Sequence, residues 1–347
     1  MRVLNRIRIG KEILFLNKSV LTAVLFFISI SASLILGEFI LRWTGFEYRL
    51  FPARVEFGWP DPVVLEDQFA LDKELLWVPK KYNEVVSELR DSKPKIVFMG
   101  DSCTAWGNYS RLFESIINQA HAGNNFSFVN AGVGGWTSYQ GLAQLKRDIV
   151  PMRPDIITIY YGWNDHWLSF GVEDKEVGAF NADRSFAVYF DDLRLVQLYS
   201  YFAIKLYGMQ PDAGRPRRVP EDDFKENIRA MVHTARAHGI VPVLLTAPSS
   251  HTAGQEPAYL AERWLPDLGE LVPLHGRYAE IVREVAREED ALLVDLLDIF
   301  YQYSEDDLKN KYFVEDGIHL TSEGCWELAN KLYWTFEEEG LLQRIIK

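Results

Sequence analysis

Residues 95–102 read Lys95-Ile96-Val97-Phe98-Met99-Gly100-Asp101-Ser102. Four consecutive apolar residues closed by a glycine have the length and composition of a strand buried on both faces. The Gly-Asp-Ser turn that stops the run places a serine hydroxyl at the strand's carboxyl end. A helical stretch follows, and the free N–H groups at its start favour negative charge beside that hydroxyl. The plainer role for Ser102 is to cap that helix. Similar apolar runs recur at Phe126–Asn130, Asp155–Tyr161, Ile240–Ala247 and Ala291–Asp295. Helical stretches separate them, at Ser110–Ala120, Gln140–Val150 (ended by Pro151), Glu221–His238, Tyr278–Glu288 and Ser322–Gly340. Strands alternating with helices predict an α/β fold with a parallel sheet covered on both faces. Sites in such sheets form beyond the carboxyl ends of the strands. Gly100–Ser102, Asn130–Gly135, Gly162–Asp165 and Ala247–His251 all fall there.

Near the other end of the chain stands Asp316-Gly317-Ile318-His319. An Asp three residues before a His can hold one imidazole nitrogen, leaving the other to take the proton of Ser102. Nucleophile, base and orienting acid are the parts that acyl transfer needs. Taken alone, Asp-x-x-His is a common sequence, and His319 can equally pack beside a helix capped by Thr321 or Ser322. Tyr161-Gly162-Trp163-Asn164-Asp165 offers the Asn164 amide to a developing oxyanion, or else simply turns the chain. Asn130-Ala131-Gly132-Val133-Gly134-Gly135-Trp136-Thr137 is glycine-rich, so its backbone N–H groups can approach a substrate closely. A dinucleotide loop would need glycine at Thr137 and a place in the first strand–helix unit, and it has neither.

These four blocks, in this order and on strand ends of one sheet, resemble the SGNH (GDSL-type) hydrolase superfamily, in the form of a membrane-anchored bacterial-type member. The likeness runs over about residues 94–335. It implies a three-layer α/β/α sandwich around a flavodoxin-like five-stranded sheet in the order 2-1-3-4-5. It also implies a nucleophile at Ser102, a base at His319 with Asp316 as its partner, and an oxyanion hole of the Ser102 N–H, the Gly135 N–H and the Asn164 side chain, with Gly134 the alternative donor. The Gly-x-Ser-x-Gly elbow of α/β-hydrolases is absent, because Thr104 stands at its last position. Departures from the family pattern are a long insertion, residues 166–220, and the N-terminal segment.

That segment begins with Arg2, Arg6, Arg8, Lys11 and Lys18 against the single acid Glu12, so the rest of the chain is more acidic than the overall net charge of −12. So acidic a body is a poor partner for nucleic acid. Ser19–Gly37 is uncharged and mostly apolar. At about 1.5 Å per residue it nearly matches a bilayer core of roughly 30 Å. The basic flank places residues 1–18 in the cytoplasm, a transmembrane signal-anchor at 19–41, and the remainder in the periplasm or at the cell surface. A cleaved signal peptide is the competing reading, with Ser29, Ser31, Ala32 and Ser33 at the cleavage region. Residues 42–93, rich in Pro, aromatics and acids, read as a juxtamembrane stalk packed loosely on the domain at 94–347. Within the insertion, Asp191–Tyr207 has an apolar helical face and is either a lid or a helix on the edge of the core.

Cys103 and Cys325 are too few for a disulfide framework and are expected to be buried free thiols. No metal-ligand spacing, cofactor loop or P-loop is present. Trp106, Trp136, Trp163 and Trp167 lie in or beside the blocks. Indole faces suit sugar rings, so Trp136 and Trp163 are candidate substrate contacts, with core packing the rival role; His251 is a further candidate, with a surface loop histidine as its rival. Arg215, Arg217 and Arg218 suit an anionic ligand or a solvated linker. The function expected is a serine esterase acting on O-acyl esters, O-acetyl foremost, of an extracytoplasmic glycan. The alternatives are an O-acyltransferase on a polysaccharide, a lipid or lysophospholipid esterase, and a non-catalytic glycan-binding or assembly component.

Overall fold

A computed structural model describes residues 2–46, 68–92, 95–121, 127–169, 173–176, 178, 193–207, 216–261 and 265–346. Residues 47–67 of the expected stalk, Phe126, most of the insertion's interior and Arg215 lie outside the described residues. Contacts divide the chain into two units, residues 1–50 with 186–209, and residues 51–185 with 210–347.

The larger unit is built on five parallel strands, β3 (Ile96–Gly100), β4 (Phe128–Asn130), β5 (Ile156–Tyr160), β6 (Val241–Leu245) and β7 (Leu292–Val294), after a separate hairpin of β1 (Phe69–Asp72) and β2 (Leu76–Pro79). The order across the sheet is β4-β3-β5-β6-β7, which is 2-1-3-4-5 counted from β3. Ile96 pairs with Phe128 on one side and Ile156 on the other. Every residue of β3 and β5 is buried, which is why their sequences show no alternation. Helices lie on both sides. Tyr109–Ala120 packs against Ser322–Glu338, with Phe113 edge-on to both Phe98 and Phe336. Glu221–Ala237 packs against Ser138–Gln144 and Leu271–Glu288, with Phe224 against Tyr278. The expected helix over 140–150 is α-helical only over Ser138–Gln144. It widens to a π turn at Leu145–Ile149 and closes as 3₁₀ at Val150–Met152, where Pro151 supplies no N–H.

The stalk reading needs correction. Residues 68–92 are part of this unit. Leu75, Leu76, Trp77 and Val78 are buried, and the helix Tyr82–Ser92 buries Tyr82 and Val86. Trp77 and Tyr82 pack on the fully buried Trp136, whose Nε1–H donates to the Trp77 carbonyl at 3.1 Å. Asp72 accepts two hydrogen bonds from Arg147, at 2.8 and 2.9 Å, and Tyr82 donates to Asp148 at 2.9 Å. Burial of each large apolar side chain contributes about 1.5–3 kcal/mol. The elements are too short to show periodicity, and what they cover lies some sixty residues further along the chain.

In the smaller unit, one helix runs over Arg2–Trp43. Its part Val20–Trp43 is apolar enough to cross a membrane, with mean hydropathy 2.4, and none of it is buried. A second helix, Arg194–Tyr207, starts where the Glu38 carboxylate accepts the N–H groups of Arg194 and Leu195, each at 3.0 Å. A carboxylate at a helix N-terminus satisfies its free donors and opposes its dipole.

Candidate active site

The Gly-Asp-Ser turn is tight for a steric reason. A Cβ on Gly100 would lie 2.7 Å from the Tyr160 carbonyl and would strike the Thr104 hydroxyl. Asp101 leaves the strand with φ −91° and ψ −146° and caps the short helix Ser102–Ala105, its Oδ1 accepting the Cys103 N–H at 2.9 Å. Ser102 therefore stands at the first helical position, 8% exposed.

Its hydroxyl donates to His319 Nε2 at 2.8 Å, and the ring's Nδ1–H donates to Asp316 Oδ2 at 2.5 Å. The other oxygen of Asp316 accepts the N–H groups of Ile318 and His319 at 2.8 and 2.9 Å, closing the loop on itself. Burial raises the affinity of Asp316 for a proton, but the bonds from His319 outweigh it and leave the carboxyl below its ordinary range. A hydroxyl joined to an imidazole, itself joined to an ionised carboxylate, is a proton path competent for nucleophilic attack.

Asn164 gives one amide hydrogen to Asp101 Oδ2 at 3.2 Å, which leaves its second hydrogen available. Among the described residues, no hydrogen-bond partner stands opposite the N–H of Ser102, Gly134 or Gly135. Gly135 has φ +80°, the left-handed region that glycine tolerates. A Cβ on Gly132 would come within 2.6 Å of the Ala105 N, so the glycine loop lies directly on the serine helix. The loop is pinned from outside. Asp165 Oδ1 accepts the Ser138 N–H at 2.8 Å, and Arg218 Nη1 donates to the Gly135 carbonyl at 2.7 Å. Two buried carboxyls beside the serine are shifted upward by burial, Asp101 to about 6 and Asp165 to about 7. The bonds each accepts offset only part of the desolvation, and among the described residues Asp165 Oδ2 has no partner.

Two of the candidate substrate contacts are core residues. Trp136 is fully buried beneath Trp77 and Tyr82. Trp163 is buried and stacked on His275 at 3.9 Å between ring centroids. Indole this large, placed between a strand end and a covering element, fills the layer between them. His251 is not a surface residue. It is buried with Nδ1 3.0 Å from Ser249 Oγ, and its Nε2 lies beneath Gly317, where a Cβ would approach to 2.7 Å. Burial lowers its pKa.

The exposed tryptophan at the site is Trp106, 59% exposed, with its ring 5.2 Å from that of His319. Beside it a groove of about 530 Å³ is lined by Asn108, Arg111, Glu114 and Asn130, among others. Arg217 and Arg218 are not a solvated linker. Arg217 donates to the His166 carbonyl, and Arg218 is buried in an ion pair with Asp174. Nothing in the local sequence pattern marks Asp174, the buried pairing of Arg218 or the bracing role of Asp101. Cys103 and Cys325 are buried and unbonded. Among the described residues no cluster of His, Cys, Asp or Glu is arranged to hold a metal ion.

The model of the GDSL-like Lipase/Acylhydrolase family matches residues 98–326. The uncharacterized lipoprotein YqeF of Bacillus subtilis (strain 168) is 22% identical over 267 residues, 72% of this chain and 90% of its own. Human platelet-activating factor acetylhydrolase IB subunit alpha2 is 26% identical over 87 residues, 25% of this chain and 35% of its own. Among solved structures, a lipase/acylhydrolase from Enterococcus faecalis aligns with a TM-score of 0.47 at 18% identity, covering 71% of this chain and 96% of its own. An acetylxylan esterase from Geobacillus stearothermophilus aligns with a TM-score of 0.45 at 17% identity, covering 70% and 93%.

Proposed function

The chain belongs to the GDSL-like lipase/acylhydrolase family and is a hydrolase acting on ester bonds; from that premise we propose that it is a membrane-anchored serine esterase removing O-acyl groups, O-acetyl foremost, from an extracytoplasmic glycan. The observation that carries the serine mechanism is the unbroken path Ser102–His319–Asp316. His319 takes the Ser102 proton as Oγ attacks the ester carbonyl, and Asp316 holds the ring and balances the imidazolium. The oxyanion is met by the N–H groups of Ser102 and Gly135 and by the free amide hydrogen of Asn164. His319 then passes its proton to the leaving alcohol, and a water deprotonated by the same ring resolves the acyl-enzyme.

Trp106 and its neighbouring groove support a sugar as the leaving group. An exposed indole face beside the proton donor, continued by two amides and two charged side chains, offers stacking and hydroxyl contacts and little apolar wall for a lipid chain. The apolar helix Val20–Trp43 supports a membrane anchor with residues 1–18 cytoplasmic and the catalytic unit outside, and the relative named a lipoprotein supports the same side.

Full-length protein in detergent is to be assayed with p-nitrophenyl acetate, butyrate and octanoate, beside Ser102→Ala. Release is expected to favour acetate and to fall by several orders of magnitude in the variant. Wild-type turnover in a folded Ser102→Ala protein would remove Ser102 as nucleophile. Preference for octanoate would move the substrate to lipids, and turnover stimulated by added oligosaccharide would point to acyl transfer.

A further inference from the structure

The insertion departs from the core at Asp165 and returns at Val219, and its two ends are laced together. Ser169 N–H donates to the Pro216 carbonyl, Arg218 N–H to that of Trp167, Asp174 N–H to that of Arg218, and Val219 N–H to that of Asp165, all at 2.8–3.0 Å. From this neck the Arg218 side chain turns inward. Its Nη2 donates to Asp174 Oδ2 at 2.9 Å, while its Nη1 donates to the Gly135 carbonyl at 2.7 Å. The same Asp174 oxygen accepts the Thr137 hydroxyl at 2.9 Å. Both partners of the ion pair are nearly inaccessible, at 6% and 8%.

We infer that Arg218 and Asp174 are positioning residues for the oxyanion hole, a part supplied by the insertion rather than by the four sequence blocks. A buried ion pair is weak support for stability, since desolvation offsets much of its attraction. Beyond each other, the two bond the residues flanking Trp136 and, at 3.4 Å, Gln140 Oε1, which itself accepts the Thr137 N–H. Gly135 lacks a Cβ and sits at φ +80°, so its peptide planes have little intrinsic barrier to rotation. Turning the 134–135 peptide would exchange the Gly135 N–H, read as the oxyanion donor, for the Gly134 carbonyl. A guanidinium locked by Asp174 and bonded to the Gly135 carbonyl fixes the adjoining 135–136 peptide, so the pivot at Gly135 is held on one side, and the Thr137 bond holds the far side of the loop. Oxyanion donors act through pre-organisation, so a misaligned donor costs rate in the transition state and leaves substrate binding largely intact.

The inference rests on the reading of Gly135 as an oxyanion donor. Its test uses the full-length protein in detergent with p-nitrophenyl acetate, with active sites titrated by a fluorophosphonate so that kcat refers to folded enzyme. Arg218→Met is expected to lower kcat by about ten- to a hundred-fold, with KM changed by less than about three-fold. Arg218→Lys, which keeps one donor, is expected to recover part of the loss. If Arg218→Met does not fold, Asp174→Asn keeps the volume, frees the guanidinium, and is expected to lower kcat in the same sense. Unchanged kcat in a folded Arg218→Met or Asp174→Asn protein would overturn the inference. So would a rise in KM that accounts for the whole loss, or an Arg218→Lys protein no better than Arg218→Met. Ser102→Ala, run in parallel, separates the two layers: if it retains turnover the serine mechanism itself is wrong, whereas if it is dead and Arg218→Met is fully active only the positioning role fails.

Discussion

Two loops meet at Ser102, and they are held in opposite ways. The Asp316–His319 loop is held largely by itself: one oxygen of Asp316 caps two N–H groups of its own turn, the other holds the ring, and an isolated bridge between Phe313 and Leu320 closes its base, with the Ser250 N–H bonded to the Gly317 carbonyl from outside. The glycine loop at 130–138 has two bonds of its own, Gly132 N–H to Asn130 Oδ1 at 3.0 Å and Trp136 N–H to the Val133 carbonyl at 3.3 Å, and is otherwise held by distant residues. Asp165 binds its end, Arg218 holds its middle, and Trp77 and Tyr82 cover Trp136 at its centre. A loop that presents side chains can be built from adjacent residues. A loop that presents backbone N–H groups has to be glycine-rich, and so it borrows its rigidity from distant parts of the chain.

The sharpest way to break the comparison is at Asp316. Asp316→Asn is expected to lower kcat on p-nitrophenyl acetate by roughly 10³–10⁴-fold, since the amide favours the wrong imidazole tautomer. The thermal midpoint should hardly move, because the loop's support is local; a large drop would show that the loop also braces the fold. The glycine loop should behave in the reverse sense. Trp136→Ala is expected to cost about 3–5 kcal/mol of stability in urea unfolding, as buried large-to-small changes do. A cost under about 1 kcal/mol would mean that Trp77 and Tyr82 collapse onto the loop without it.

A smaller effect separates the charges that brace the glycine loop. Asp165 has its pKa raised to about 7, so its stabilising state is the protonated one. That contribution is complete below the unfolded value near 4 and is lost as pH rises through about 7. The slope is at most about 1.4 kcal/mol per pH unit. Asp165→Asn is therefore expected to gain stability relative to the wild type between pH 5 and pH 8. His275 runs the other way. Burial lowers it to about 4, so its contribution is present above about 6.5 and fades as pH falls. Denaturation curves for both Asp165→Asn and His275→Gln across that range would resolve the opposed slopes; parallel curves for wild type and Asp165→Asn would refute the assignment to Asp165.

The same contrast explains what the sequence let a reader see. β3 and β5 announce themselves as apolar runs because burial on both faces removes alternation, and the order of the sheet follows from the strand–helix alternation together with the family likeness. Ser102, Asp316 and His319 sit in short patterns whose chemistry depends on spacing alone, and the structure brings them together. Arg218 looked like one of a basic cluster because its partner stands 44 positions away, in a segment with no pattern of its own. Trp136 and Trp163 were favoured as sugar platforms by nearness in sequence to Gly135 and Asn164. Neighbours along a strand end point to opposite sides, and in both cases the indole went inward. Trp106, four residues past the serine on a one-turn helix, is the one left outside.

The hairpin and helix at 68–92 bear on where this protein can be cut. The family match begins at residue 98, yet the piece that folds as a unit has to begin about thirty residues earlier, because Trp77 and Tyr82 roof Trp136, and Leu75 gives its carbonyl to Gln140 beside the glycine loop. A soluble enzyme made by trimming to the matched region would retain every block and lose the cover over one of them.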